Sequence, residues 1–363
     1  MFGDRLKLAR KKAGFSLRTL SEALDSRVSA QAIGKYERGA MMPSSGTLLA
    51  LAKTLDVSLD YLMGAQIHAI KGLEFRKKSG TSAKDRARVE AAVIEHVERY
   101  LTIEDILDLD SAEWHCPVDK QRIESIKEAA TLAKQVREAW QLGENPIPDM
   151  TELLEKHGLK VLMTPLPDGV SGMTCMIQRS GGLPFLPVIV VNQKHPLERR
   201  RLTLAHELGH RLIADSSPVE HEKAATYFAG AFLVPENHLK WEIGKHRKAL
   251  GYAELVQLKR MYRVSAAALL ARLRDVGIIA ESTLAYAFKT FANDWRRKEP
   301  DPLEEESQRD SREPARRFER LCYWALAEKL ISPSKASELL QRPLQQIEIA
   351  MKGPAGENAS YRE

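Results

Sequence analysis

Cysteine is scarce: Cys116, Cys175 and Cys322 are the only three in 363 residues, widely spaced and without a CxxC pair. That usage argues against a disulfide framework or a cysteine-based zinc site and fits a reducing cytosol. Long apolar runs are also missing. Nothing approaches the roughly eighteen residues of a membrane span, and MFGDRLKL brings in charge at once, unlike a secretory signal. A soluble, cytoplasmic chain without membrane contact is expected. Its length suits two or three domains with ample core.

The most informative stretch present is LTLAHELGHRLI. His206 and His210 stand four apart, so on a helix both imidazoles project from one face and can grip one metal ion, while Glu207 reaches a water on that ion. Leu202, Leu204, Ala205, Leu208, Leu212 and Ile213 make the surrounding helix apolar, with Arg199 to Arg201 leading in from a polar segment. Burying two imidazoles and a carboxylate without partners would cost several kcal/mol, so metal binding is the better reading of a buried helix. Zinc needs a third protein ligand and an open fourth position for water. Beyond the ADSSP loop, VEHEKAATYFAGAFLVPEN reads as a second helix ended by Pro235. Glu220, His221 and Glu222 are the candidates there, with Asp215 a weaker one in the loop. Helical phase favours Glu222, which shares a stripe with the small residues Ala225, Thr226 and Ala229, whereas His221 lies on another side.

RRRLTLAHELGHRLI, followed by Glu222, Ala225, Phe228, Ala229, Phe232, Leu233 and Pro235, resembles the ImmA/IrrE family of zinc metallopeptidases. The resemblance implies that Glu222 is the third ligand beside His206 and His210, that Glu207 activates water, and that one zinc binds per chain, with manganese as a substitute. Where relatives often carry Asn or Asp, this chain has Thr226. PVIVVNQKHPLERRR resembles the strand before the zinc helix in that family, and by that likeness its edge pairs with an extended peptide. Tyr227 reads as a packing residue beside Phe228.

Residues 1–66 carry a separate signal. Apolar spacing at three and four divides them into about five short helices, with Ser16 and Ser29 as N-caps, Gly14 and Gly39 as breaks, and Ser58 starting the last helix. A helix from Ser16 to about Leu24, a tight connection and a helix from Ser29 to Arg38 make a helix-turn-helix. The Y-E-R-G-x-x-x-P-S ending resembles the XRE family of DNA-binding domains. Ten basic against six acidic residues leave +4 on this segment, out of +6 for the chain. Gln31 and Lys35 face the major groove in this reading, and Arg10 and Arg38 the duplex, with Arg10 placed for phosphates.

The expected fold is mainly α and multidomain. Its parts are a five-helix DNA-binding domain at 1–66, a helical connector at 67–122, an α+β zincin-like metallopeptidase core with a small sheet at 123–245, and a helical C-terminal region at 246–363. The connector holds a polar KKSGTSAK turn and a long helical pattern from Val89 to Leu101, and a helix from about Ile123 to Leu142 leads into the core. LVQLKRMYRVSAAALLARLRDVGII reads as amphipathic helix ending at a glycine, and the charge-rich, proline-punctuated stretch near 295–317 reads as an exposed linker. ISPSKASELL reads as part of a helical docking or dimerisation element rather than a second helix-turn-helix.

Two functions compete. One is an intracellular zinc metalloendopeptidase whose partners are duplex DNA and a protein substrate, a helix-turn-helix repressor or a co-encoded regulator such as the resembled family cuts. The other is a transcription regulator or antitoxin whose zinc domain senses or binds without turnover. Glu207 favours the enzyme, since a non-catalytic zinc site has no need of a general base beside its first ligand. Homodimerisation is compatible with either.

Overall fold

The amino-terminal helices begin where the sequence offers serine. In the computed structural model, which describes residues 2–64, 67–72, 82–109, 113–295, 297–305 and 312–352, the first five helices are α1 (Phe2–Ala13), α2 (Leu17–Ala23), α3 (Ala30–Glu37), α4 (Ser45–Leu55) and α5 (Leu59–Met63). Ser16, Ser29, Ser44 and Ser58 each cap a helix by accepting the backbone N–H three residues on, which satisfies one of the donors a helix start leaves open. Gly14 and Gly39 separate the helices at φ 82° and 69°, a region that glycine enters without strain. α1 crosses α3 so closely that a Cβ on Gly3 would lie 2.4 Å from the Glu37 carbonyl oxygen.

After α5 the chain forms the short strand β1 (Ile67–Lys71) and then the 25-residue helix α6 (Ala83–Leu107). Both do more than connect. α6 packs along α1, and Arg5 of α1 donates to the Tyr61 carbonyl at 2.6 Å and forms a two-pronged ion pair with Glu98 of α6. The sheet has the order β1-β3-β4-β2, with β2 (Lys160–Thr164), β3 (Gly172–Arg179) and β4 (Leu186–Asn192). β3 is antiparallel to both β1 and β4, and β2 is parallel to β4. One face of the sheet, through Cys175, Val188 and Val190, joins the apolar cluster of α6 and the first five helices. The other, through Val161, Ile189 and Val191, packs on the cluster that includes Leu204, Leu208 and Phe228. β4 is buried throughout and flanked on both sides, so it offers no edge to a peptide, contrary to the sequence expectation. Its uniform β-branched run is the signature of such a central strand.

The helix expected from Ile123 is shorter, α7 (Glu128–Ala139), because Ser125 and the Glu124 backbone bind the Glu128 carboxylate ahead of it. Then come α8 (Met150–Lys156), α9 (Leu197–Leu212), α10 (His221–Leu233) and α11 (Glu236–Ile243). The amphipathic stretch after residue 250 is two helices, α12 (Tyr252–Tyr262) and α13 (Ala266–Asp275), divided where Arg263 turns left-handed at φ 53° and Ser265 caps anew. α14 (Glu281–Lys289) follows, and α15 (Arg317–Ala327), α16 (Pro333–Leu340) and α17 (Leu344–Lys352) gather on the far end of α6 around Tyr100 and Ile103. No helix among the described residues is long and apolar enough to cross a membrane.

The largest correction concerns residues 295–317. Residues 296 and 306–311, like 77–81 of the KKSGTSAK turn, lie outside the described residues. The rest is no exposed linker but a strap locked to α9 and α12 by buried charge. Arg200 and Arg201, read from sequence as a polar lead-in, are 1% and 0% exposed. Arg200 pairs with Glu304 at 3.0 Å, Arg201 with Glu313, and Lys259 of α12 with Glu198 at 2.9 Å while also donating to the Pro300 and Asp301 carbonyls. Glu304 and Glu313 of this stretch each answer a buried cation.

Candidate metal centre

α9 places the HELGH residues and α10 brings the third group to them. Leu204, Ala205, Leu208 and Leu212 bury the core side of α9, leaving His206 and His210 on the face toward α10. Gly209 sets the spacing between the helices. A Cβ there would stand 3.0 Å from Phe228 Cδ1 and 3.3 Å from Ala225 Cα, so only glycine lets α10 cross this closely without displacement. The C-terminal end of α9 is held by the segment before α7, where the Gln121 N–H donates to the Leu212 carbonyl at 2.8 Å and Ala214 N–H to the Gln121 carbonyl at 2.7 Å.

The result is a three-sided cluster. His206 Nε2 and His210 Nε2 are 3.0 Å apart, His206 Nε2 lies 3.6 Å from Glu222 Oε2, and His210 Nε2 lies 3.5 Å from Glu222 Oε1. All three ligand atoms fall within 4.8 Å of one another, the group among the described residues able to hold a metal ion. Ligand atoms bound tetrahedrally to zinc at about 2.0–2.2 Å would be about 3.3–3.6 Å apart, close to these separations.

Proton bookkeeping supports the fit. Thr226 Oγ1 lies 2.8 Å from the Glu222 carbonyl, to which it can donate, and 3.2 Å from His206 Nδ1. With the hydroxyl hydrogen on the Glu222 carbonyl, Thr226 would accept from His206 Nδ1–H and leave the Nε2 lone pair toward the cluster. A hydroxyl in this place is the kind of outer partner that orients a histidine at a metal site, at the position the sequence left open. Two imidazole nitrogens and a carboxylate are a donor set that zinc accepts.

The other candidates are occupied elsewhere. Asp215 pairs with Lys120 at 2.8 Å, Glu220 pairs with Lys223 at 2.6 Å, and His221 opens α10 outside the cluster. Glu207 is buried, 4% exposed, beside the first histidine. Arg211, one turn further along α9, was not singled out from sequence. Burial holds its pKa down, while the nearby carboxylates of Asp215 and Glu207 oppose that shift. The Cys175 thiol is itself pushed up to about 12 by burial and stays an inert core group. Tyr227 lies half-buried under the Arg272 guanidinium, 5.9 Å from its ring centroid.

At the amino terminus, Gln31, Lys35 and Arg38 are exposed on α3 and just beyond it. Arg10 is placed differently from the sequence reading. Its guanidinium forms a two-pronged pair with Glu37 at 2.6 and 2.9 Å and donates to the Phe15 carbonyl at 2.8 Å, so it fastens α1 to α3 instead of facing a phosphate. The signal was its partner, Glu37, at the end of the recognition helix.

Comparisons with known proteins agree with both parts. Residues 6–62 match the helix-turn-helix family model, and residues 154–274 match the model for the IrrE N-terminal-like domain. The chain is 40% identical over 63 residues to the SPbeta prophage-derived uncharacterized HTH-type transcriptional regulator YonR of Bacillus subtilis (strain 168), covering 17% of this chain and 56% of that protein. It is 40% identical over 62 residues to the HTH-type transcriptional regulator ImmR of the same organism, covering 17% and 47%. The chain thus spans about half the length of these relatives. No solved structure matches it.

Proposed function

We propose that this chain, an XRE-type helix-turn-helix domain joined to an IrrE/ImmA-like domain, is a DNA-binding, zinc-dependent endopeptidase that cuts a regulatory protein. The convergence of His206 Nε2, His210 Nε2 and the Glu222 carboxylate within 4.8 Å, with Glu207 next to the first of them, carries the reading. Zinc bound there would supply a Lewis acid and lower the pKa of its water toward about 7. Thr226 keeps the His206 Nε2 lone pair directed inward. The Glu207 carboxylate accepts a proton from the attacking water and returns it to the leaving amine nitrogen.

The exposed side of α3 gives the DNA-binding half its role: Gln31 and Lys35 read base edges, and Arg38 contacts the duplex beside them. A repressor of the same helix-turn-helix type, or a regulator encoded beside this protein, is the substrate class, in keeping with the two relatives being transcriptional regulators. The test supplies zinc and such a repressor to the full-length protein and to Glu207→Gln. Glu207→Gln should keep its zinc while cleavage falls by at least about a hundredfold, the lower end of the range for loss of a general base. Equal cleavage by both proteins would assign the cut to another agent and put a non-catalytic regulator or antitoxin in place of the peptidase.

A further inference from the structure

A groove of 1020 Å³ opens directly beside the metal centre, with Glu222 and Thr226 forming part of its wall. It runs between α9, α10 and α13. Leu202, one turn before His206, and Tyr227, next to Thr226, continue the apolar lining away from the metal, and Phe288 and Trp295 close the far side.

The room in the groove comes from α13. Leu269, Leu270 and Leu273 on one face of that helix are in the core, while Ala268 and Ala271 on the opposite face are partly exposed to the groove. A helix with leucine inward and alanine outward leaves space in which a larger outward side chain would stand. The rim is basic: Lys127 and Arg297 are exposed there, with no carboxylate partner among the described residues.

We infer that this groove is the specificity surface of the metal centre, and that it receives an extended peptide carrying a bulky apolar side chain close to the bond at the metal, with an acidic residue nearby. Two features select that occupant. The groove is continuous with the ligand Glu222, so a chain crossing the metal has its next side chains over Leu202, Tyr227 and Ala271. An apolar floor under an unpaired basic rim complements an apolar side chain flanked by negative charge.

The assignment builds on the peptidase reading only in calling the peptide a substrate, and binding tests it separately. Random displayed peptides are panned on zinc-loaded, full-length Glu207→Gln, and the peptide most enriched is synthesised with a fluorophore. Enrichment of a large apolar residue with acidic neighbours is expected. In the Glu207→Gln background, Ala271→Trp should fill the groove and weaken that peptide by at least about tenfold, and Ala268→Leu should do so by less, with one zinc per chain retained. Ala268→Leu adds the smaller volume and provides the measurement should the tryptophan disturb folding. A selection without apolar preference, or filled variants binding within about twofold of the parent, would overturn the assignment. Should filling abolish binding while wild type fails to cut the same peptide, the groove stands and the peptidase reading falls.

Discussion

Replacing Glu313 with alanine tests the strap at its most demanding point. Its carboxylate pairs with Arg201, which is 0% exposed, accepts the Met150 N–H at 2.9 Å and lies 3.3 Å from Arg263 Nη1. The Glu313 carbonyl also accepts the Thr151 hydroxyl at 2.9 Å. Removing the carboxylate leaves the Arg201 guanidinium in the interior with the Ile147 carbonyl, 2.8 Å away, as its remaining named acceptor. Burial already holds the Arg201 pKa below its ordinary value, with Glu313 the largest opposing influence. Breaking one side of a buried ion pair costs about 3–5 kcal/mol, and whole domains are stable by only about 5–15 kcal/mol. Chemical denaturation, followed by tryptophan fluorescence, should therefore show Glu313→Ala losing about a fifth or more of the stability of the unit that holds α9. Arg201→Met with Glu313→Leu removes both charges and should recover most of that loss, because the cost lies in the unpaired charge. A loss below about 1 kcal/mol for Glu313→Ala, or a double variant as unstable as the single one, would refute the assignment of these charges to a structural strap.

Three other outcomes are expected. His206→Ala, His210→Ala and Glu222→Ala should each lose zinc by elemental analysis while His221→Ala keeps it, and Thr226→Val should bind zinc about 10–100-fold more weakly because His206 loses its orienting partner. Arg10→Ala should lower the melting stability of the amino-terminal helices by about 1.5–3 kcal/mol, whereas Arg38→Ala should leave melting unchanged and weaken duplex DNA in a fluorescence titration. Burial, followed by Arg99 and Lys160, pushes His96 down to about 3, so its stabilisation is complete above the unfolded value of 6.5 and drains away as pH falls toward 3. Between pH 7 and 5, wild type should lose about 2 kcal/mol relative to His96→Phe in paired denaturation curves. Glu155, raised to about 8 by burial, acts in the opposite sense in both proteins and cancels from that difference.

The clustering of His206, His210 and Glu222 was legible in the sequence because their spacing is local. His206, Glu207 and His210 lie within one helical turn, and the phase of the next helix was enough to prefer Glu222 over His221. Thr226 could have been found the same way, since its hydroxyl stands four residues from Glu222 on α10. The strap was illegible for the opposite reason. Glu304 and Glu313 find Arg200 and Arg201 across 104 and 112 residues, and composition alone cannot distinguish such carboxylates from solvated ones. β3 could have been read from the alternation of Met173, Cys175 and Ile177, whose neighbours are only half-buried. β1 carries no comparable pattern in five residues and takes its place from pairing with β3.

The connection between α3 and α9 is a matter of packing rather than of a tether. Leu6 and Ile33 of the amino-terminal domain share one apolar cluster with Val93 and Val97 of α6 and with Cys175 and Val188 of the sheet. The sheet in turn lies against α9, where Gly172 approaches Thr203 so closely that a Cβ would stand 2.4 Å from its Cγ2. A fragment ending at residue 66 would therefore cut through a core and would separate Arg5 from Glu98, leaving a cation that is 4% exposed in the whole chain without its carboxylate. Such a fragment loses the α6 surface on which α1 packs. The full chain is the proper object for testing Gln31, Lys35 and Arg38, because its α6 supplies both the apolar face and the ion pair on which the domain rests.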